Sequence, residues 1–205
     1  VYKRQHQLLS IVAADVAAGG PYRRLLVPVA RAPFGDAVLL RLLAGLHELV
    51  LAGRVPELAR SYRSVTDAEA TVPLDPRVVV EVAEAYEPEL ARRLGEGVQT
   101  NEVGRCATFI GGFAELARLG RPLRVLEVGA SAGLNLAFDR YRYEAGDVAL
   151  GPRSSPLRFD DPWFGPPPDL SGELVVADRR GCDVAPIDAS SAAGRRRLRS
   201  FVWAD

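Results

Sequence analysis

The sequence predicts an α/β fold in which an all-helical region, residues 6–96, precedes a doubly wound domain, residues 97–205. Two observations predict this order. Apolar residues recur at helical spacing through the first region, which contains no strand-like run. The pattern changes at Gln99, after which a helix, a strand, a turn of small residues and another helix follow in succession. With 48% hydrophobic residues, a chain of 205 residues can bury a sizeable core.

Glycine residues mark the ends of three of the four helices predicted in the first region. The clearest helix has leucine or valine at positions 39, 42, 43, 46 and 50, and Gly53 closes it. His47 lies in this helix, where a lone histidine is expected to have a structural role. The predicted helices of this region cover residues 7–18, 36–52, 55–62 and 78–94.

The second region alternates between helices and strands. The short apolar run Leu123–Val128, which contains β-branched residues, predicts a strand. Residues 129–133 are predicted to form a turn, and Leu134–Arg140 the start of a helix. Residues 141–172 are rich in proline, so they are interpreted as an irregular insertion. The other predicted elements of this region are a helix over 102–119, a strand over 174–177, a helix over 189–200 and a strand over 201–203.

Charge and cysteine usage exclude several functional classes. Lys+Arg and Asp+Glu both number 26, and a chain without a basic surplus is not expected to bind nucleic acid. The two cysteines and two histidines have no metal-ligand spacing, so no metal site is predicted. No apolar run approaches the ~20 residues of a membrane span, and no convincing signal peptide is present, so a cytoplasmic location without membrane attachment is expected.

The first five residues differ in character from the rest of the chain. Lys3 is the only lysine, and residues 1–5 are therefore interpreted as a non-native leader. The last residues read as a strand with nothing after it. The chain is expected to be a fragment at both ends.

Small residues follow the acidic end of the predicted strand in the segment EVGASAG, residues 127–133. Such residues let the backbone turn sharply and approach a ligand closely. The helix after the turn is expected to present free N–H groups and the positive end of its dipole. The candidate ligand-binding residues at this turn are Glu127, Gly129, Ala130, Ser131 and Gly133.

The segment VLEVGASAG, residues 125–133, resembles the first motif of class I S-adenosylmethionine-dependent methyltransferases, which have a Rossmann-like fold. It departs from that motif at Ser131, where the family usually has glycine, and a turn that needs positive φ there would be strained. The segments QTNEVGR (99–105), LEVGASAGLNL (126–136), DRYRY (139–143) and GCDVAPID (181–188) together resemble an uncharacterised bacterial family, domain of unknown function 2332. That family is grouped by fold with methyltransferases, so the resemblance implies S-adenosylmethionine as cofactor.

The resemblance also implies cofactor contacts outside the turn. The acidic residue that ends the second strand and binds ribose hydroxyls is expected to be Asp183, with Asp178 and Glu144 as alternatives. Asn101 and Arg105 begin the helix before the first strand. Arg105 could pair with the cofactor's carboxylate, while capping and packing is the competing role for both. Asn135 follows the turn and could bond the cofactor or the acceptor; its alternative is an exposed helix face.

The methyl acceptor, a small molecule or otherwise, is not predicted, and neither are a catalytic base or an oligomeric state. At about 30 residues per βα unit, the chain from Leu123 onward holds about three strands. Acceptor-binding residues usually follow later strands, so that half of the domain is expected to lie outside this sequence.

Two other functions remain open. The segment GASAG also matches the G-x-S-x-G nucleophile elbow of α/β-hydrolases, with Ser131 as the nucleophile, although no histidine follows it in this sequence. Alternatively, the domain is a catalytically inactive methyltransferase-like scaffold whose helical region forms the partner surface. Turnover would distinguish the scaffold from an enzyme.

Overall fold

The computed structural model describes residues 3–171 and 173–202, which form a mixed α/β structure of α-helices and two small sheets. Two compact units are present. The first, here called the helical unit, combines the described residues of Val1–Thr100 with those of Asp188–Asp205. The second, here called the sheet unit, spans Asn101–Ile187. No helix in the described ranges is both long and apolar enough to cross a membrane.

The helical unit is built from helices alone over its described residues. The single helix predicted over 78–94 is two helices, because Tyr86 has a non-helical backbone (φ −120°, ψ 23°) and Pro88 cannot donate an N–H to a continuing helix. The α-helices are α1 (Lys3–Ala18), α2 (Pro21–Leu26), α3 (Val38–Leu51), α4 (Pro56–Ala59), α5 (Pro76–Ala85), α6 (Glu87–Gly95) and α8 (Ala192–Ser200).

The core of the helical unit forms around α3, whose leucines at 42 and 46 are completely buried. Helix α8 also packs against α3, although its sequence falls within the predicted second domain, residues 97–205. The reason is electrostatic as well as apolar. Arg197 of α8 forms ion pairs with Glu48 of α3 and with Glu96, which follows α6. The predicted strand over 201–203 is not formed at Phe201 and Val202, which lie in a turn and a bend, and Trp203 lies outside the described residues.

The interpretation of residues 1–5 as a leader falls partly outside the described residues, since Val1 and Tyr2 are not among them. Residues 3–5 form the first turn of α1. The side chain of Gln5 is only 8% exposed and lies beside Leu8 and His47. Gln5 therefore packs as part of the helical unit.

The sheet unit begins with helix α7 (Arg105–Ala117), and its first strand, β1, spans Leu123–Val128 as the sequence predicts. Strand β5 (Val176–Cys182) pairs with β1 in parallel, with Glu127 opposite Gly181. The strand predicted over 174–177 therefore starts later and continues further. In the register of this pair, the carboxyl ends of both strands meet at one edge of the sheet.

The helix predicted to start at Leu134 is instead a 3₁₀ helix, Leu134–Arg140, with a non-helical residue at Ala137. Three of its carbonyl oxygens accept hydrogen bonds from side chains that lie outside the segment, and not from the backbone of a continuing α-helix. Those of Leu134, Leu136 and Phe138 accept from Tyr141, Arg179 and Tyr143 respectively. The segment therefore stays short.

Residues 141–172, which were interpreted as an irregular insertion, contain three short strands, so that interpretation was wrong where the strands form. These strands form a mixed sheet in the order β3–β2–β4, in which β2 pairs antiparallel with β3 and parallel with β4. The prolines lie between the strands, and stacked rings of Tyr143 and Phe159, 5.1 Å apart, hold β2 to β4. The strands are β2 (Arg142–Ala145), β3 (Val148–Leu150) and β4 (Arg158–Asp160).

Candidate functional site

The turn Gly129–Gly133 lies at the carboxyl end of β1 and is fastened to the chain that leaves β5. The backbone N–H groups of Gly129 and Ala130 donate to the carbonyl of Cys182, at 2.8 and 3.0 Å. Two further bonds hold Ser131: its N–H donates to Asp183 Oδ2 at 2.8 Å, and its carbonyl accepts from Ile187 N at 3.2 Å. The predicted turn and the predicted acidic residue are thus neighbours.

Asp183 follows β5 directly, and its carboxylate bridges two backbone segments. Oδ1 accepts from Ala185 N at 2.8 Å while Oδ2 accepts from Ser131 N. The two alternatives are placed differently: Asp178 bonds to Arg180 within β5, and Glu144 pairs with arginines of the three-stranded sheet.

Three residues of the turn have left-handed backbone conformations. Gly129 and Gly133 have φ values of +73° and +71°, which glycine adopts without steric penalty. Ser131 has φ +52°, a conformation that costs an L-residue about 1–2 kcal/mol. Its N–H bond to Asp183 holds Ser131 in that conformation.

Replacing Ser131 with glycine is expected to raise the free energy of unfolding by about 0.5–1 kcal/mol. The relief of left-handed strain, about 1–2 kcal/mol, exceeds the extra chain entropy that glycine loses on folding, about 0.5–1 kcal/mol. Urea denaturation at pH 7 measures the change. Ser154, an exposed turn residue without positive φ, is the control, and Ser154→Gly should lower the same free energy. Equal losses at both positions would show that Ser131 is not strained.

Glu127 is the last inward-facing residue of β1, and one of its two carboxylate oxygens has no hydrogen-bond donor. Oε1 lies 3.5 Å from Nδ2 of Asn135, whereas Oε2 is buried and accepts no hydrogen bond. Asn135 itself is 6% exposed. A buried acceptor without a donor costs about 1–3 kcal/mol, and more when it is charged. Glu127 Oε2 is therefore where a bound donor would be stabilised.

The two residues predicted before the first strand are placed differently from each other. Asn101 accepts a hydrogen bond from Leu134 N at 2.9 Å, so it fixes the start of the 3₁₀ helix. Arg105 is the exposed first residue of α7. Asn101 therefore has the structural role that competed with cofactor binding.

An aromatic cleft of about 200 Å³ lies beside Glu127 and Asn135. Phe113 stacks on Phe138 with ring centroids 4.4 Å apart, and Phe109 meets both rings edge to face. Complete small-molecule pockets usually measure about 300–1,000 Å³. The cleft is thus large enough for part of a ligand, with apolar walls and one carboxylate at its rim.

Cys106 is a member of this site that the sequence analysis did not identify. It is fully buried on α7, and its Sγ lies 3.4 Å from Oδ1 of Asn135. Burial, and then the nearby charge of Glu127, raise the pKa of the thiol to about 11. The thiol is therefore protonated at neutral pH and can donate to Asn135. Its position on the inner face of α7, four residues before Ile110, is the signal that could have predicted burial.

The helix dipole expected after the turn is not available. The segment after Gly133 is a seven-residue 3₁₀ helix interrupted at Ala137. A macrodipole arises from several aligned helical turns, so a short interrupted segment contributes little. Binding at this site would depend on the turn, Glu127 and Asp183.

The comparison with protein families decides the relationship of this chain to known proteins. The family described as "Uncharacterized protein conserved in bacteria (DUF2332)" matches residues 3–205. The chain belongs to this family. No curated protein and no solved structure matches it significantly.

The DUF2332 match spans both units and includes every candidate site residue. It also includes residues 3–5, which were predicted to belong to a non-native leader. The description of the DUF2332 family states no activity, so the chemistry of the site has to be argued from its geometry.

Proposed function

We propose that this protein binds S-adenosylmethionine at the carboxyl ends of β1 and β5 and transfers its methyl group to an acceptor. The observation that carries the proposal is the buried Oε2 of Glu127, which lacks a hydrogen-bond donor beside the aromatic cleft and the glycine-rich turn. S-adenosylmethionine offers both a positively charged ammonium group as donor and a sulfonium.

The turn supports close approach of such a ligand. A side chain built on Gly129 would meet no atom within 4 Å, so the backbone there borders open space. The methionine part of the ligand can lie against this backbone, with its ammonium donating to Glu127. The carboxylate of Asp183 lies at the same edge of the sheet, beside Ser131, and supplies acceptors for the ribose hydroxyls.

Methyl transfer requires little chemistry from the protein. A nucleophilic acceptor atom attacks the methyl carbon, the carbon–sulfur bond breaks, and its electron pair stays on sulfur as a neutral thioether. The protein's part is to hold the acceptor in line with that bond and, for some acceptors, to remove a proton. Among the described residues, those that line the cleft hold the cofactor in place. We assign no base among them.

Titration calorimetry of S-adenosylmethionine and its demethylated product, S-adenosylhomocysteine, tests cofactor binding. We expect micromolar binding of both by the wild-type protein. Glu127→Gln should weaken it by about tenfold or more, because one charge-assisted hydrogen bond contributes about 1.5–3 kcal/mol. Glu173→Gln makes the same chemical change at an exposed position of the sheet unit and should leave Kd unchanged. No binding to folded wild-type protein would exclude the proposal.

Two outcomes would redirect the assignment. Binding without any release of S-adenosylhomocysteine in the presence of candidate acceptors would favour the inactive scaffold.

The second candidate function is a hydrolase, favoured by the left-handed backbone of Ser131 at a strand-to-helix turn, which resembles a nucleophile elbow. Covalent labelling of the wild type by a fluorophosphonate, lost in Ser131→Ala, would support that function, and absence of labelling would exclude it.

A further inference from the structure

The helical unit contains a small cavity whose polar walls are not satisfied. It lies among Arg4 and Gln5 of α1, His47 of α3, Tyr62, and Ser200 at the end of α8. Three atoms in these walls are buried without a hydrogen-bond partner, namely Arg4 Nη1, Gln5 Oε1 and Tyr62 Oη. None of these residues belongs to the site described above.

The unsatisfied groups are deeply buried. Tyr62 is 1% exposed and Gln5 8% exposed. Each buried polar group left unpaired costs about 1–3 kcal/mol. Tyr22 is an equally buried tyrosine of the same unit. Its hydroxyl donates a hydrogen bond to the carbonyl oxygen of Val79, with 3.0 Å between the two oxygens. Unlike Tyr22, Tyr62 therefore has a buried hydroxyl donor that a bound acceptor would satisfy.

The charge around the cavity is positive. Arg4 forms no ion pair with any residue of the described ranges, and its charge acts on Tyr62. Both nitrogens of His47 are engaged, Nε2 with Ser64 Oγ at 2.8 Å and Nδ1 with the Ser200 carbonyl at 3.2 Å. Burial, together with the nearby charge of Arg199, lowers the pKa of His47, so its ring is neutral at pH 7.

Guanidinium and phenol groups both donate hydrogen bonds, and an anion accepts from both. Gln5 can join them because the oxygen and nitrogen of an amide exchange places by a flip, which turns its NH₂ toward the cavity. The remaining walls are apolar and include Leu8, Leu43 and Ala44. Such walls suit a weakly hydrated anion better than sulfate or phosphate.

The volume of the cavity limits its occupant to a single atom or one water molecule. The cavity has a volume of about 20 Å³, and about 10–15 Å³ is the least that holds one water. We propose that this cavity is a halide-binding site in which Arg4 Nη1 and Tyr62 Oη contact a chloride ion. The bound halide would tie the start of α1 to the segment that contains Tyr62.

Bromide is the probe for this site because it scatters anomalously and is close to chloride in size. Crystals of the full chain soaked in sodium bromide should give an anomalous peak in contact with Arg4 and Tyr62. In solution, bromide should raise Tm by about 4 °C at ten times its Kd, whereas gluconate at equal ionic strength should not. A water molecule without anomalous signal at this position would overturn the proposal.

A matched pair of variants separates halide binding from general salt effects. Tyr62→Phe removes the unpaired hydroxyl and should abolish the bromide-dependent rise in Tm. Tyr22→Phe removes an equally buried hydroxyl that bonds to Val79 and should retain that rise, from a lower starting Tm. Equal responses of the two variants to bromide would also overturn the proposal. If Tyr62→Phe does not fold, the anomalous map of the wild-type crystal decides.

Discussion

Gly181→Ala is expected to lower the free energy of unfolding by about 2 kcal/mol and to weaken binding of S-adenosylmethionine, because the turn no longer fits against β5. A Cβ at position 181 would lie 2.6 Å from Cβ of Ala130 and 3.0 Å from Cδ1 of Leu136. Cβ of Ala130 cannot move without the turn. The hydrogen bonds from Gly129 and Ala130 to Cys182 would lengthen as a result. Urea denaturation and calorimetric titration measure the two effects.

Gly112→Ala is the control for this substitution in the same unit. Gly112 lies within α7, has an ordinary φ, and no atom lies within 4 Å of an added Cβ. Its replacement should raise the free energy of unfolding by up to about 1 kcal/mol, the helix-propensity difference between alanine and glycine. The double variant Gly181→Ala/Ala130→Gly should recover much of the loss, since it removes the clashing atom. A Gly181→Ala protein as stable as wild type would show that the turn does not rest on β5.

Local signals were sufficient to predict β1 and its turn. The run Leu123–Val128 is mainly apolar and includes two β-branched valines, and small residues follow it at once. The strand and the turn can therefore be predicted from a few consecutive residues. The strain anticipated at Ser131 if the turn required positive φ is also observed. Asp183, which the family resemblance selects 52 residues after Ser131, accepts a hydrogen bond from the backbone of Ser131.

Elements that depend on distant contacts were not predictable in the same way. The segment after Gly133 has helix-forming residues, yet Arg179 and two tyrosines take its carbonyl oxygens and limit it to a 3₁₀ helix. The strands within residues 141–172 are only three or four residues long, and their aromatic pairing is not visible in a window dominated by proline. Tertiary contacts outweigh local propensity in both places.

The candidate site shows the same division. The sequence contains no signal that one oxygen of Glu127 is buried without a donor, because that depends on the packing of α7 and Asn135 around it. The role of Cys106 beneath Asn135 likewise depends on the fold. Halide binding at Tyr62 could not be proposed from sequence, since its partners lie in separate helices.

Glu48→Ala is expected to lower the free energy of unfolding by about 3 kcal/mol, because it removes one of the two carboxylates that the buried arginines Arg93 and Arg197 share. Glu48 lies between Arg93 and Arg197: Oε1 pairs with Arg93, and Oε2 lies 3.5 Å from Arg197 Nη1. The three side chains are only 10–16% exposed. Among the residues that the structure describes, Glu96 then remains as their carboxylate partner, and the two guanidinium groups repel each other beside it.

Glu57→Ala provides the control, because it removes an exposed ion pair. The side chain of Glu57 is 72% exposed, and its Oε2 lies 3.9 Å from Nη1 of Arg60. Exposed pairs of this kind contribute about 0–1 kcal/mol, so the control should change little. Urea denaturation of both variants at pH 7 makes the comparison. A loss in Glu48→Ala no larger than that in Glu57→Ala would mean that the buried cluster does not join α3 to α8.

The same cluster sets how stability changes in acid. Burial acts to raise the pKa of Glu96, but Arg93, Arg197 and Arg92 outweigh it, and the pKa is lowered from its ordinary value of 4.5. Because the pKa of Glu96 is lower in the folded state, the stability that its charge contributes is complete above pH 4.5. This stability is lost as the pH falls through the pKa of the folded state. Wild type and Glu96→Gln should therefore differ in stability at pH 7 and converge in acid. A difference that persists unchanged at low pH would show that the charge of Glu96 is not what stabilises the cluster.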